Sequence, residues 1–123
     1  WNGSNADYDN WAASDNGVLD WAIEVDIELT SSMSEVRMAL TWLNRGSFTY
    51  DHRADAYPLG MDFSIMVLDP TGSIVASSGD MLQPYELVTF NPTQSGTYSV
   101  FINRVHNRDT DSAVKAALVT TWD

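Results

Sequence analysis

The chain has no cysteine and only one lysine, Lys115, in 123 residues. Without cysteine there is no disulfide framework, no thiolate metal site and no cysteine nucleophile. Basic residues are scarce as a class: six face seventeen acids, for a formal net charge of −11. That imbalance repels polyanions, so nucleic acid and anionic membrane surfaces are excluded as partners. No apolar run approaches the ~18–20 residues a membrane-spanning helix needs. Only two imidazoles, His52 and His106, could serve as general bases. The sequence opens abruptly at Trp1 without a signal peptide, as is expected of a mature or excised fragment.

What is present is enough for a core. Hydrophobic residues make up 44% of the chain and aromatics 11%, which excludes a disordered acidic tail. The length suits one domain, residues 1–123, burying roughly two-thirds of the surface of the unfolded chain. The acids favour solubility, tolerance of salt, or a hard cation.

The hydrophobic period is two nearly throughout. In residues 19–29, Ile23, Val25, Ile27 and Leu29 alternate with Glu24, Asp26 and Glu28, a half-buried strand with an acidic outer face. Residues 36–43 repeat the pattern, with Val36, Met38, Leu40 and Trp42 on one side. Residues 63–68 are almost continuously apolar, and Asp69-Pro70-Thr71-Gly72 then supplies turn chemistry before a return strand at 74–76. Further strands are expected at 86–90, 96–105 and 114–122, with Asn16-Gly17 as a hairpin-type turn. The spacing predicts an all-β fold: an antiparallel two-sheet sandwich, jelly-roll-like, of about seven to nine strands with almost no helix. Trp42, Ile65, Val67, Val100 and Leu118 are the expected core. Residues 1–17 read as a loop-like opening segment, and 44–60 as a long connection of aromatic and polar residues, either a packed Ω-loop or a functional one.

Enzyme signatures are missing. There is no Gly-x-Ser-x-Gly elbow, no His-Glu-x-x-His helix and no phosphate-cradling glycine loop. His52 lies near Asp51 and Asp55, but no strained nucleophile marks a triad. Seventeen acids could supply a glycosidase pair, yet acids alternating with core residues are first of all a solvated strand face. A non-catalytic chain is expected.

Cation binding is the better chemical expectation. Calcium takes six to eight oxygen ligands from Asp, Asn and carbonyls on loops. Asn5, Asp7, Asp9 and Asn10 form one such cluster, with Asp62 at the start of a strand as its partner. Asn107, Asp109 and Asp111 form a second. Asp and Asn are also simply the residues that turns favour. Aromatic faces could instead stack on sugar rings: Trp1, Trp11, Tyr50 and Tyr57 are the candidate ligand-binding residues, while Trp42 has the phase of a core residue and Trp21 and Trp122 sit at strand ends. Asn2-Gly3-Ser4 fits the N-glycosylation pattern, a match that short sequences produce by chance.

Four segments in order carry a resemblance. They are Met38-Ala39-Leu40-Thr41-Trp42, then Asp62-Phe63-Ser64-Ile65, then Asp69-Pro70-Thr71-Gly72 running into Val75-Ala76-Ser77-Ser78, and last Gly96-Thr97-Tyr98-Ser99-Val100. From about Val18 to Trp122 the chain resembles the β-sandwich domains that follow the catalytic domain of secreted subtilisin-like proteases, and the related pre-peptidase C-terminal domains. Ser64 stands where those families usually have a second Asp. The resemblance implies a secreted, non-catalytic accessory domain that stabilises, matures or targets a serine peptidase and is sometimes calcium-stabilised. Its implied partners are the catalytic domain of the same polypeptide and a protein or polysaccharide substrate. A carbohydrate-binding module of an exported hydrolase is the alternative; a linear aromatic platform on one sheet face would mark it.

Overall fold

The computed structural model describes residues 2–3, 22–43, 61–80, 82–107 and 114–123. They form eight strands: β1 (Asn2–Gly3), β2 (Ala22–Leu29), β3 (Val36–Trp42), β4 (Met61–Leu68), β5 (Ile74–Ser78), β6 (Tyr85–Phe90), β7 (Gly96–Asn107) and β8 (Val114–Trp122). There is no helix among the described residues.

Two four-stranded sheets face each other, in the orders β1-β8-β3-β6 and β2-β7-β4-β5. Every described pairing is antiparallel, and β1 meets β8, β2 meets β7, β3 meets β6 and β4 meets β5. The chain is thus one long nested hairpin, folded over so that successive rungs alternate between sheets. That is the jelly-roll arrangement of two interlocked Greek keys. Its innermost turn is Asp69-Pro70-Thr71-Gly72. Asp69 Oδ1 accepts the backbone N–H of Thr71 at 2.8 Å and of Ser73 at 3.0 Å, and Gly72 supplies the positive φ of 83°.

Alternation places the core. Val36, Met38, Leu40 and Trp42 of β3 point inward against Phe63, Ile65 and Val67 of β4 and Tyr98, Val100 and Ile102 of β7. Two aromatic pairs bridge the sheets. Trp42 meets Phe63 edge-on with centroids 5.2 Å apart, and Phe90 stacks on Tyr98 at 5.8 Å. The buried Tyr98 hydroxyl is satisfied, donating to the Gln94 carbonyl at 2.9 Å. Leu118 is only partly buried, packed against this core from β8.

Three details depart from expectation. Asn2 and Gly3, read as loop, pair with Lys115 and Val114 as a short strand. Phe101 has the phase of the polar outer face, yet it is only 7% exposed. It sits on a central strand between Glu24 and Met66, whose side chains flank it on either side. Third, the acids are not all solvated. Glu24, Asp26 and Glu28 are exposed, with Asp26 accepting Ser99 Oγ at 3.0 Å and Glu28 accepting Thr97 Oγ1, but Asp62 and Glu86 are buried.

The outer faces of the two sheets differ. The β2 edge of one carries the acidic stripe. The outer face of the other is built from rows set by register: Thr121–Arg37–Thr89, Val119–Ala39–Leu87 and Ala117–Thr41–Tyr85. Ala39 in the middle, between the larger Val119 and Leu87, leaves a shallow trough. None of these nine residues is acidic.

Candidate functional site

The most unusual chemistry among the described residues lies where the two sheets meet at β5 and β6. Glu86 occupies a core position of β6, in phase with Val88 and Phe90. It is 1% exposed. Burial of a carboxylate demands hydrogen-bond donors, and the opposite sheet provides them. Ser78, at the end of β5, donates its hydroxyl to Glu86 Oε2, and the Asp80 backbone N–H donates to Oε1 at 2.7 Å. Glu86 therefore ties the end of β5 and the following turn to β6. Asp80 in turn caps that turn, accepting the Leu82 N–H at 2.9 Å and Gln83 Nε2 at 3.1 Å.

Asp62 completes the cluster from β4. It is 3% exposed, and its Oδ1 has no hydrogen-bond partner. A shift of register between Asp62 and Phe63 leaves Val105 of β7 unpaired between Arg104 and His106, so the strand pair is bulged there. Burial first, then the charges of Glu86 and Asp80, push the Asp62 carboxyl up to about 6; a hydrogen bond from the Phe63 backbone N–H works in the opposite direction. The site is a carboxyl group poised between neutral and ionised forms beside a second, fully bonded carboxylate. It can hold or release a proton near neutral pH, and it is a place where positive charge is favoured.

Asp62 is the one residue of the first expected calcium set that the structure describes; of the second, only Asn107 is described, as the last residue of β7. Asn5, Asp7 and Asp9 lie outside the described residues, as do Trp1, Trp11, Tyr50 and Tyr57, the long connection 44–60, and Asp109 and Asp111. Among the described residues no group of three or more His, Cys, Asp or Glu side chains could by itself hold a metal ion. Of the aromatics that are described, exposed Tyr85 and Trp122 sit at opposite corners of one sheet, beside Thr41 and Val36 respectively. They do not line up as a platform.

Sequence reasoning missed Glu86. In the run Tyr85–Phe90 apolar residues occupy both phases, Tyr85 and Leu87 on one and Val88 and Phe90 on the other. The charge tips a reader toward solvent. The signal that could have found it is the phase of Val88 and Phe90 alone, which puts Glu86 inside. No model of a known protein family matches this chain, and no curated protein matches it.

Proposed function

We propose that this jelly-roll domain is a non-catalytic accessory module of a secreted serine peptidase, serving its stability, maturation or substrate targeting. One observation carries the reading: the segments that resemble such domains are used as architecture. Trp42 bridges the sheets, Asp69 to Gly72 forms the innermost turn, Ser78 anchors Glu86, and Tyr98 stacks on Phe90. A scaffold is what a stabilising or presenting module supplies to a catalytic neighbour, its partner in the same polypeptide.

Calcium belongs to the same reading. Asp62 offers an unpartnered oxygen at the start of β4, and the acids of residues 5–9 would complete its coordination. Millimolar calcium should then raise the melting temperature, by the ordinary linkage of a ligand bound only to the folded state. Asp7→Asn with Asp9→Asn should abolish that shift. No shift with calcium would remove the cation from the proposal.

The function itself is tested in the polypeptide that carries this chain. A serine peptidase domain in the same reading frame, whose mature yield or thermal half-life drops when this domain is deleted, is the expected result. A reading frame with no peptidase overturns the proposal.

A further inference from the structure

We propose that the outer face of the β1-β8-β3-β6 sheet, where Arg37 and Lys115 balance Glu35 and Asp123, is a self-association surface, on which a second copy of this chain packs about a two-fold axis.

The charge distribution selects the face. In a chain of net charge −11, most surfaces of two copies repel one another. On this sheet the three middle rows hold no acid, the two acids at their end, Glu35 and Asp123, both pair with Arg37, and the acidic stripe of β2 lies on the other sheet. Here Leu87 is 61% exposed, Val119 55% and Tyr85 43%. Large exposed apolar side chains gathered on one face mark an interaction surface.

The pattern along β8 selects the partner. Val119 lies at the middle of the face, in one row with Ala39 and Leu87. Lys115 and Asp123 lie four residues to either side of Val119, on the same outward phase. A two-fold axis running along the Val119–Ala39–Leu87 row, across the strands, lays β8 of one copy over β8 of the other. Val119 then meets Val119 of the second copy, and Lys115 of each meets the Asp123 end of the other, where Asp123 and Glu35 flank Arg37 and leave an excess of negative charge. The charges of the face are self-complementary in this one orientation. A two-fold parallel to the strands would instead stack Arg37 ends upon one another.

Size sets the strength. Seven residues along three strands span about 24 Å by 14 Å. With side-chain relief the pair would cover on the order of 1,000 Å², the lower limit of a specific interface. Association is therefore weak and concentration-dependent.

Sedimentation of the 123-residue chain from about 5 to 500 µM, at about 0.15 M salt, tests this. The expected result is a reversible monomer–dimer equilibrium. Val119→Glu, which sets two like charges on the axis, should raise Kd at least tenfold. Lys115→Glu should raise it about threefold to tenfold, and adding Asp123→Lys should bring it back to within about threefold of the parent. Circular dichroism checks that each variant is folded; should Val119→Glu unfold, Leu87→Glu, off the axis, is read in its place. A monomer at every concentration overturns the proposal and leaves the face to some other neighbour. So does a dimer indifferent to Val119→Glu, an assembly that grows beyond two copies, or a double charge exchange that restores nothing.

Discussion

The Glu86 carboxylate on one sheet accepts the backbone N–H of Asp80 from the turn leaving the other, at 2.7 Å. With the Ser78 hydroxyl on its second oxygen, this buried acid clasps the two sheets at the end where β5 turns toward β6.

Removing that clasp should be costly. Glu86→Ala strips the acceptor from two donors and should lower stability by about 3–6 kcal/mol, from charge-assisted hydrogen bonds of about 1.5–3 kcal/mol each. Glu86→Gln keeps the shape and one acceptor oxygen, so its cost should be nearer 1 kcal/mol. Urea denaturation of both variants against the parent measures the difference. Equal losses would mean that the carboxylate charge, which both variants remove, rather than the retained shape and acceptor, holds the clasp.

Asp62 makes stability depend on pH. Its carboxyl titrates at about 6 in the folded chain against 3.8 as the ordinary value. Below 3.8 the group is protonated in both states and costs nothing. Between about 3.8 and 6 the unfolded chain ionises while the folded chain keeps its proton, so stability falls as pH rises across that window and levels off above it, where the folded state holds the buried charge. Asp62→Asn should flatten this decline and leave the variant more stable than the parent at pH 7.5. Denaturation curves at pH 4.5 and 7.5 test the sign; a parent that gains relative to Asp62→Asn on going to pH 7.5 would refute it.

Trp42→Ala should cost about 3–5 kcal/mol, the usual penalty for emptying a large core site. Trp42 is 4% exposed and braces Phe63 across the sheets. Near-ultraviolet circular dichroism should lose intensity even where the variant remains folded.

Gly96→Ala should destabilise by about 1–3 kcal/mol. Gly96 opens β7 at φ 142°, and a Cβ there would lie 3.0 Å from Pro70 Cγ. Both the backbone and the turn at Pro70 resist the change. A melting temperature equal to the parent's would mean that this strand start is freer than it looks.

The fold was legible because alternation is a physical requirement of a half-buried strand. Ile23 to Leu29 and Val36 to Trp42 cannot slip by one residue without exposing their core faces. The turn at Asp69 was legible for the same kind of reason, since Pro and Gly restrict φ locally. β1 was not, because two residues carry no period and Asn-Gly favours a turn. The carboxylate cluster was not, because Glu86 is turned inward by the pairing of β6 with β3, more than forty residues away along the chain. Ser78 and Glu86 are close in sequence, but only the folding of β5 onto β4 and of β6 onto β3 turns them toward each other and toward Asp62. The Asp62 position was legible as chemistry, an acid at a strand start, and illegible as environment.

The nested pairing also fixes an order of events when the chain folds. Only β4 and β5 are neighbours along the sequence; each outer rung joins segments farther apart, up to Asn2 and Lys115, more than a hundred residues distant. Closing such loops costs entropy before any contact repays it, so folding should be slow for a domain of this size. The hairpin about Asp69 is the cheapest nucleus, and the remaining rungs zip outward from it. Unfolding runs the other way: the two-residue rung of β1 on β8 frays first, and amide exchange should grade from that edge inward to Val67 and Val100.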